Sequence, residues 1–90
     1  MSEITKSAAK RVLDFVNAEL EALNNGGHLS SKVYYHETTY DFYRDVPFYE
    51  GAFADHLIQA ANNYQRHFPD LAKRELETTK RLLEAEISDK

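Results

Sequence analysis

The chain has 90 residues, no cysteine, 42% hydrophobic residues and a formal net charge of -4 at pH 7. This composition rules out disulfides, thiolate metal sites and a cysteine nucleophile. It also argues against wholesale disorder and against non-specific attraction to phosphate backbones, which Lys and Arg drive. At this length folding buries only about 60–65% of the unfolded surface, so one domain, 1–90, is expected, with no room for a large enclosed active site.

From residue 2 to residue 24 the apolar residues Ile4, Ala8, Ala9, Val12, Leu13, Val16, Leu20 and Leu23 recur at helical spacing. Ser2 is the expected cap, and Asn25-Gly26-Gly27 supplies the left-handed residue that ends a helix. Phe53, Leu57, Ala60, Ala61, Tyr64 and Phe68 form a second stripe. Pro69 suits the first turn of a third helix, where Asp70 meets the positive end of the helix dipole, and Ala72, Leu76, Thr79, Leu83 and Ile87 are its apolar face. Three helices are thus predicted, near 3–24, 52–67 and 70–87. Their shared core is Val12, Leu13, Val16, Leu20, Phe53, Leu57, Ala61, Tyr64, Leu76 and Leu83.

Between the first two helices the pattern is ambiguous. Val, Tyr, Thr and Phe favour strands, and with period two Tyr34, His36, Thr38, Tyr40 and Phe42 share one face. A helical alternative has Thr39 capping a short helix that bears Phe42 and Val46 and stops at Pro47. The reading adopted is an extended or short hairpin-like segment from Val33 to Tyr43, then a turn around Asp45-Val46-Pro47. The fold class is therefore mainly α, a small three-helix domain with a tyrosine-rich segment between helices 1 and 2.

That segment carries the functional argument. Residues 34–55 hold Glu37, Asp41, Asp45, Glu50 and Asp55 against Arg44 alone, which equals the net charge of the whole chain. Five of the six tyrosines (Tyr34, Tyr35, Tyr40, Tyr43 and Tyr49) fall there, with Phe42 and Phe48. Tyrosine joins a large apolar ring to a hydroxyl that stays hydrogen-bonded at a wet boundary, which enriches it at binding surfaces. Carboxylates around such rings steer encounter with a basic partner. The predicted contact residues are Tyr34, Tyr35, Glu37, Tyr40, Asp41, Tyr43, Asp45, Tyr49 and Glu50.

Chemistry-bearing motifs are lacking. No GxSxG elbow surrounds a serine, and Gly26-Gly27 is too short for a phosphate loop. His56 and His67 share a helix face but stand roughly 16 Å apart, too far for one metal ion. No catalytic residue, metal or cofactor is assigned. The expectation is a non-enzymatic inhibitor, immunity or anti-defence module, docking residues 34–55 on a basic surface of a nucleic-acid-handling protein, with no direct nucleic-acid or membrane contact. One alternative is a homodimer formed through the aromatic segment or the third helix. The other is a small-ligand or metal-binding domain using His36 or His56. Lacking cysteine and an apolar run of about 18 residues, the chain is expected in the cytoplasm.

Overall fold

A computed structural model describes residues 3–88, which form four helices: α1 (Glu3–Asn24), α2 (Lys32–Asp45), α3 (Phe53–Gln65) and α4 (Pro69–Ser88). Among the described residues there is no strand. The predicted cap at Ser2 lies outside them. Each helix packs on its neighbours in the chain and α4 closes against α1, while the diagonal pairs α1/α3 and α2/α4 stay apart. Arg11 of α1 meets Asp45 at the end of α2, and Phe42 of α2 meets Phe53 at the start of α3. Both contacts fit an antiparallel, up-down-up-down four-helix bundle.

The three predicted helices appear close to their expected bounds. α1 ends where Gly26 takes φ +75°, with Gly27 N–H donating to Ala22 O at 2.7 Å and Gly26 N–H to Leu23 O at 3.1 Å. That double bond pattern is a Schellman cap, which glycine satisfies without a Cβ clash. α3 ends in the same way, Phe68 N–H donating to Asn63 O at 2.9 Å and His67 N–H to Tyr64 O at 3.0 Å. Here, however, the left-handed position is His67, at φ +67°. Pro69 opens α4, with Asp70 in its first turn.

The core is built from Ala8, Val12, Val16, Leu20, Phe53, Leu57, Ala61, Leu76 and Leu83, joined by Tyr35 and Phe42. Leu13 and Tyr64, predicted as core, are half-buried against its edge. The Leu76/Thr79/Leu83 stripe of α4 is fully enclosed by its own chain, so it offers no face to a second copy.

The predicted extended segment is corrected: it is the helix α2. Ser31 Oγ accepts from Tyr34 N–H at 3.2 Å and caps it. The hydroxyls of Thr38 and Thr39 donate to Tyr34 O and Tyr35 O one turn back, at 2.9 and 3.0 Å. Thr39 is therefore an interior residue of the helix, not the cap of a shorter one. What decides the fold is the seven-residue spacing of Tyr35 and Phe42. In a strand they would face opposite ways, whereas in a helix they share a stripe, and both are buried here. Pro47 ends the helix, as in the helical alternative rather than the adopted reading: Val46, immediately before it, is pushed out of helical geometry to φ -130°, ψ 70°.

Candidate functional site

Because α2 is a helix, its side chains divide by period 3.6, and the nine predicted contact residues separate into two groups. Tyr35 is sealed inside at 0% exposure and leaves the outward set. Tyr43 and Tyr49 are half-buried, wedged on the core. The Phe42 ring takes both edge-on, at 5.6 and 4.9 Å between centroids, and Tyr43 stacks on Phe53 at 6.5 Å. Tyr43 and Tyr49 fix α2 and the connection after it against Phe53 of α3, and Tyr35 packs edge-on to Phe15 of α1, a structural use that composition alone cannot separate from recognition. Tyr34 and Tyr40 remain outside, half and two-thirds exposed, with the Tyr34 ring resting on Phe15 at 5.3 Å.

The acids divide too. Asp45 is held by Arg11 of α1; the hydrogen bond from that guanidinium is the largest influence on its carboxyl and keeps it below the usual carboxylate range. Asp41 lies 3.2 Å from Arg44, one turn along the same helix. Glu37 and Glu50 are exposed. Two of the carboxylates expected to meet a partner's cations thus already have a guanidinium beside them, and the net negative field of the segment is weaker than its composition implies.

What assembles on the outer side of α2 is a shallow hollow of about 350 Å³, lined by Val33, His36, Glu37, Tyr40 and Asp41. Val33 is 64% exposed and Tyr40 68%. Past the end of the helix, Phe48 stands 98% exposed on a left-handed backbone, φ +66°. A bulky side chain in that conformation costs roughly 1–2 kcal/mol, and a ring left in water contributes no burial energy to offset it. Val33 and Phe48 were not among the predicted contact residues. Pro47 preceding an aromatic residue in a turn was the available sign for Phe48.

A buried polar group also escaped the sequence reading. Glu19, 5% exposed, accepts the Ser30 backbone N–H at 2.9 Å and so ties the 25–31 connection to α1. Its place one turn beyond Val16 and beside Leu20 puts it on the apolar stripe, which is the signal that would have found it. Tyr35 lies close by, and its hydroxyl makes no hydrogen bond of normal geometry. Burial first, and the Glu19 carboxylate second, push that phenol well above its ordinary pKa.

The histidines do not converge. His56 Nδ1 contacts Glu75 Oε2 at 2.5 Å across α3 and α4, His28 Nδ1 contacts Tyr64 Oη at 2.7 Å, and His36 sits on the outer face of α2. Among the described residues no group of three His, Asp or Glu side chains could hold a metal ion, and no helix is long and apolar enough to cross a membrane. A second, wider concavity of about 700 Å³ lies where α1 and α3 end and α4 begins, between Leu23, His28, Tyr64 and His67.

The architecture and the site thus define a small antiparallel four-helix bundle with an apolar, mixed-charge face on its second helix. Comparison of the chain with protein-family models, with curated proteins and with solved structures finds no match.

Proposed function

We propose that this protein is a non-enzymatic protein-binding module of the inhibitor or adaptor type. It docks the outer face of α2, together with Phe48, on a basic surface of a larger, nucleic-acid-handling protein. The observation that carries the reading is the outward set Val33, Tyr40 and Phe48, at 64%, 68% and 98% exposure on one helix and the connection after it. Exposed apolar side chains grouped with polar neighbours mark protein contact sites, and strain maintained at an exposed residue points to a role outside folding. Tyr40 and Phe48 are the anchors, Val33 and Tyr34 widen the apolar patch, and Glu37, Asp41 and Glu50 orient the encounter. Tyr35, Tyr43 and Tyr49 support the helix from within, and Asp45 is already neutralised by Arg11.

The test is affinity capture from the native host, followed by titration of the purified partner. Tyr40→Ala and Phe48→Ala are each expected to weaken binding by roughly thirtyfold, the effect of an anchor residue, with circular dichroism unchanged. Glu37→Gln with Asp41→Asn is expected to slow association and flatten its salt dependence. Equal capture by wild type and the Tyr40/Phe48 double variant would end this reading.

A further inference from the structure

We propose that the outer face of α2 pairs with the same face of a second copy of this chain, the two helices running parallel about a two-fold axis along their length. The inference rests on reading that face as a protein contact surface, and it names the occupant when no other partner is bound.

The argument begins with helical geometry. At about 100° per residue, Val33, Tyr40 and Arg44 lie along one narrow strip of α2. Lys32 and His36 fall on one flank of that strip, and Glu37 and Asp41 on the other. The face therefore has an apolar seam, a basic edge and an acidic edge. The exposed large apolar residues of the other helices lie at their starts, Ile4 on α1 and Phe68 and Leu71 at the head of α4, while α2 bears Val33, Tyr34 and Tyr40 along its length.

Orientation follows from symmetry. A two-fold axis parallel to the helices sets the basic edge of one copy against the acidic edge of the other, and does so twice. Lys32 then reaches Glu37 of the second copy, the five-residue offset that flanking charges adopt in parallel helix pairs. An antiparallel pair would set each edge against itself, carboxylate on carboxylate. In the parallel arrangement Val33 meets its counterpart, Tyr40 meets its counterpart, and the hollow between them receives the opposing side chains. The two Arg44 side chains approach at one end of the seam, each beside its own Asp41. One 14-residue helix offers less than the roughly 800 Å² per partner of a standard interface, so the pairing is reversible. A basic partner competes for the same face.

Sedimentation equilibrium of the full chain, from micromolar to millimolar, tests the pairing and its register. Wild type is expected to pass from monomer to dimer. Lys32→Glu and Glu37→Lys each bring like charges together at two symmetry-related places and lower the association constant roughly tenfold. The Lys32→Glu/Glu37→Lys double variant reverses the polarity of both contacts and recovers association to within about threefold. Tyr40→Ala, with its helical circular dichroism unchanged, is expected to stay monomeric. A chain that is monomeric throughout, single swaps without effect, or a double variant that fails to recover would each overturn the proposal. A monomeric wild type whose partner capture still depends on Tyr40 removes the dimer and leaves the binding reading intact. The swap series behaving as described, with capture indifferent to Tyr40 and Phe48, does the reverse.

Discussion

Tyr35 shows most directly how one side chain divides between structure and chemistry. Its ring fills the centre of the bundle while its hydroxyl is buried beside Glu19 without a hydrogen bond of normal geometry. A buried hydroxyl without a partner costs about 1–3 kcal/mol, so Tyr35→Phe is expected to raise stability by about 1 kcal/mol, read from the denaturation midpoint at unchanged slope. A loss of stability instead would mean that the phenol donates to Glu19 in solution. The pH dependence has a definite sign. Burial raises the pKa of Tyr35, and burial followed by the nearby Glu86 carboxylate raises that of Tyr49 from 10.0 to about 12. A phenol that ionises later in the folded chain than in the unfolded chain contributes stability that is complete below pH 10 and is lost on going above it. Wild type is expected to lose stability from pH 10 to 12, and Tyr35→Phe to lose less, in alkaline denaturation series. Phe48 and His67, both left-handed, share the expected stability gain on substitution by glycine and differ in its effect on binding. His67→Gly sits at a helix cap where glycine is the usual residue, and is expected to gain about 1 kcal/mol. Phe48→Gly is expected to gain about as much and to lose partner binding, because there the strain holds a ring outward.

At the scale of the element, α1, α3 and α4 were legible because each carries an apolar stripe at helical spacing and an end signal, Gly26 for α1 and Pro69 for α4. α2 was not, because its composition of Val, Thr and aromatic residues is that of a strand. Its helical evidence is confined to Tyr35 and Phe42, seven apart, and to the Ser31 cap. The candidate site is legible in the same measure. Residues 34–55 do hold the exposed Tyr34, Tyr40 and Phe48, but the face presented by each tyrosine depends on the period, which the strand-like composition of the segment conceals. Thr38 and Thr39 bond their hydroxyls to carbonyls one turn back, an arrangement that slightly destabilises a helix. Since α2 has so few buried anchors, its cap carries more of its stability than a cap normally does. Ser31→Ala is expected to cost about 1 kcal/mol, with the loss of helical signal confined to residues 32–45 in backbone chemical shifts. An unchanged midpoint would mean that tertiary contacts through Tyr35 and Phe42 hold the helix alone.

For the whole molecule, the four helices are unequal in how firmly they are held. α1 and α4 bury long stripes against one another and α4 lies along α3, with Leu57, Leu76 and Leu83 at 0% exposure. α2 inserts only Tyr35 and Phe42, and it is joined to the bundle by seven-residue connections at 25–31 and 46–52. Local opening draws on elements with few buried apolar contacts, and binding elements are commonly drawn from that group. Native-state hydrogen exchange should therefore show amides of 35–45 opening at least about 2 kcal/mol more easily than those of 57–61 and 76–83, where exchange follows global unfolding. Equal protection across the four helices would instead make α2 an integral part of the cooperative unit. The proposed contact face would then lie on a rigid support and gain nothing from ordering. With the inequality present, anything that covers Val33 and Tyr40 adds to α2 the buried area it lacks. Occupancy should then slow exchange in 35–45 far more than in α4, a readout that separates binding at this face from binding elsewhere on the bundle.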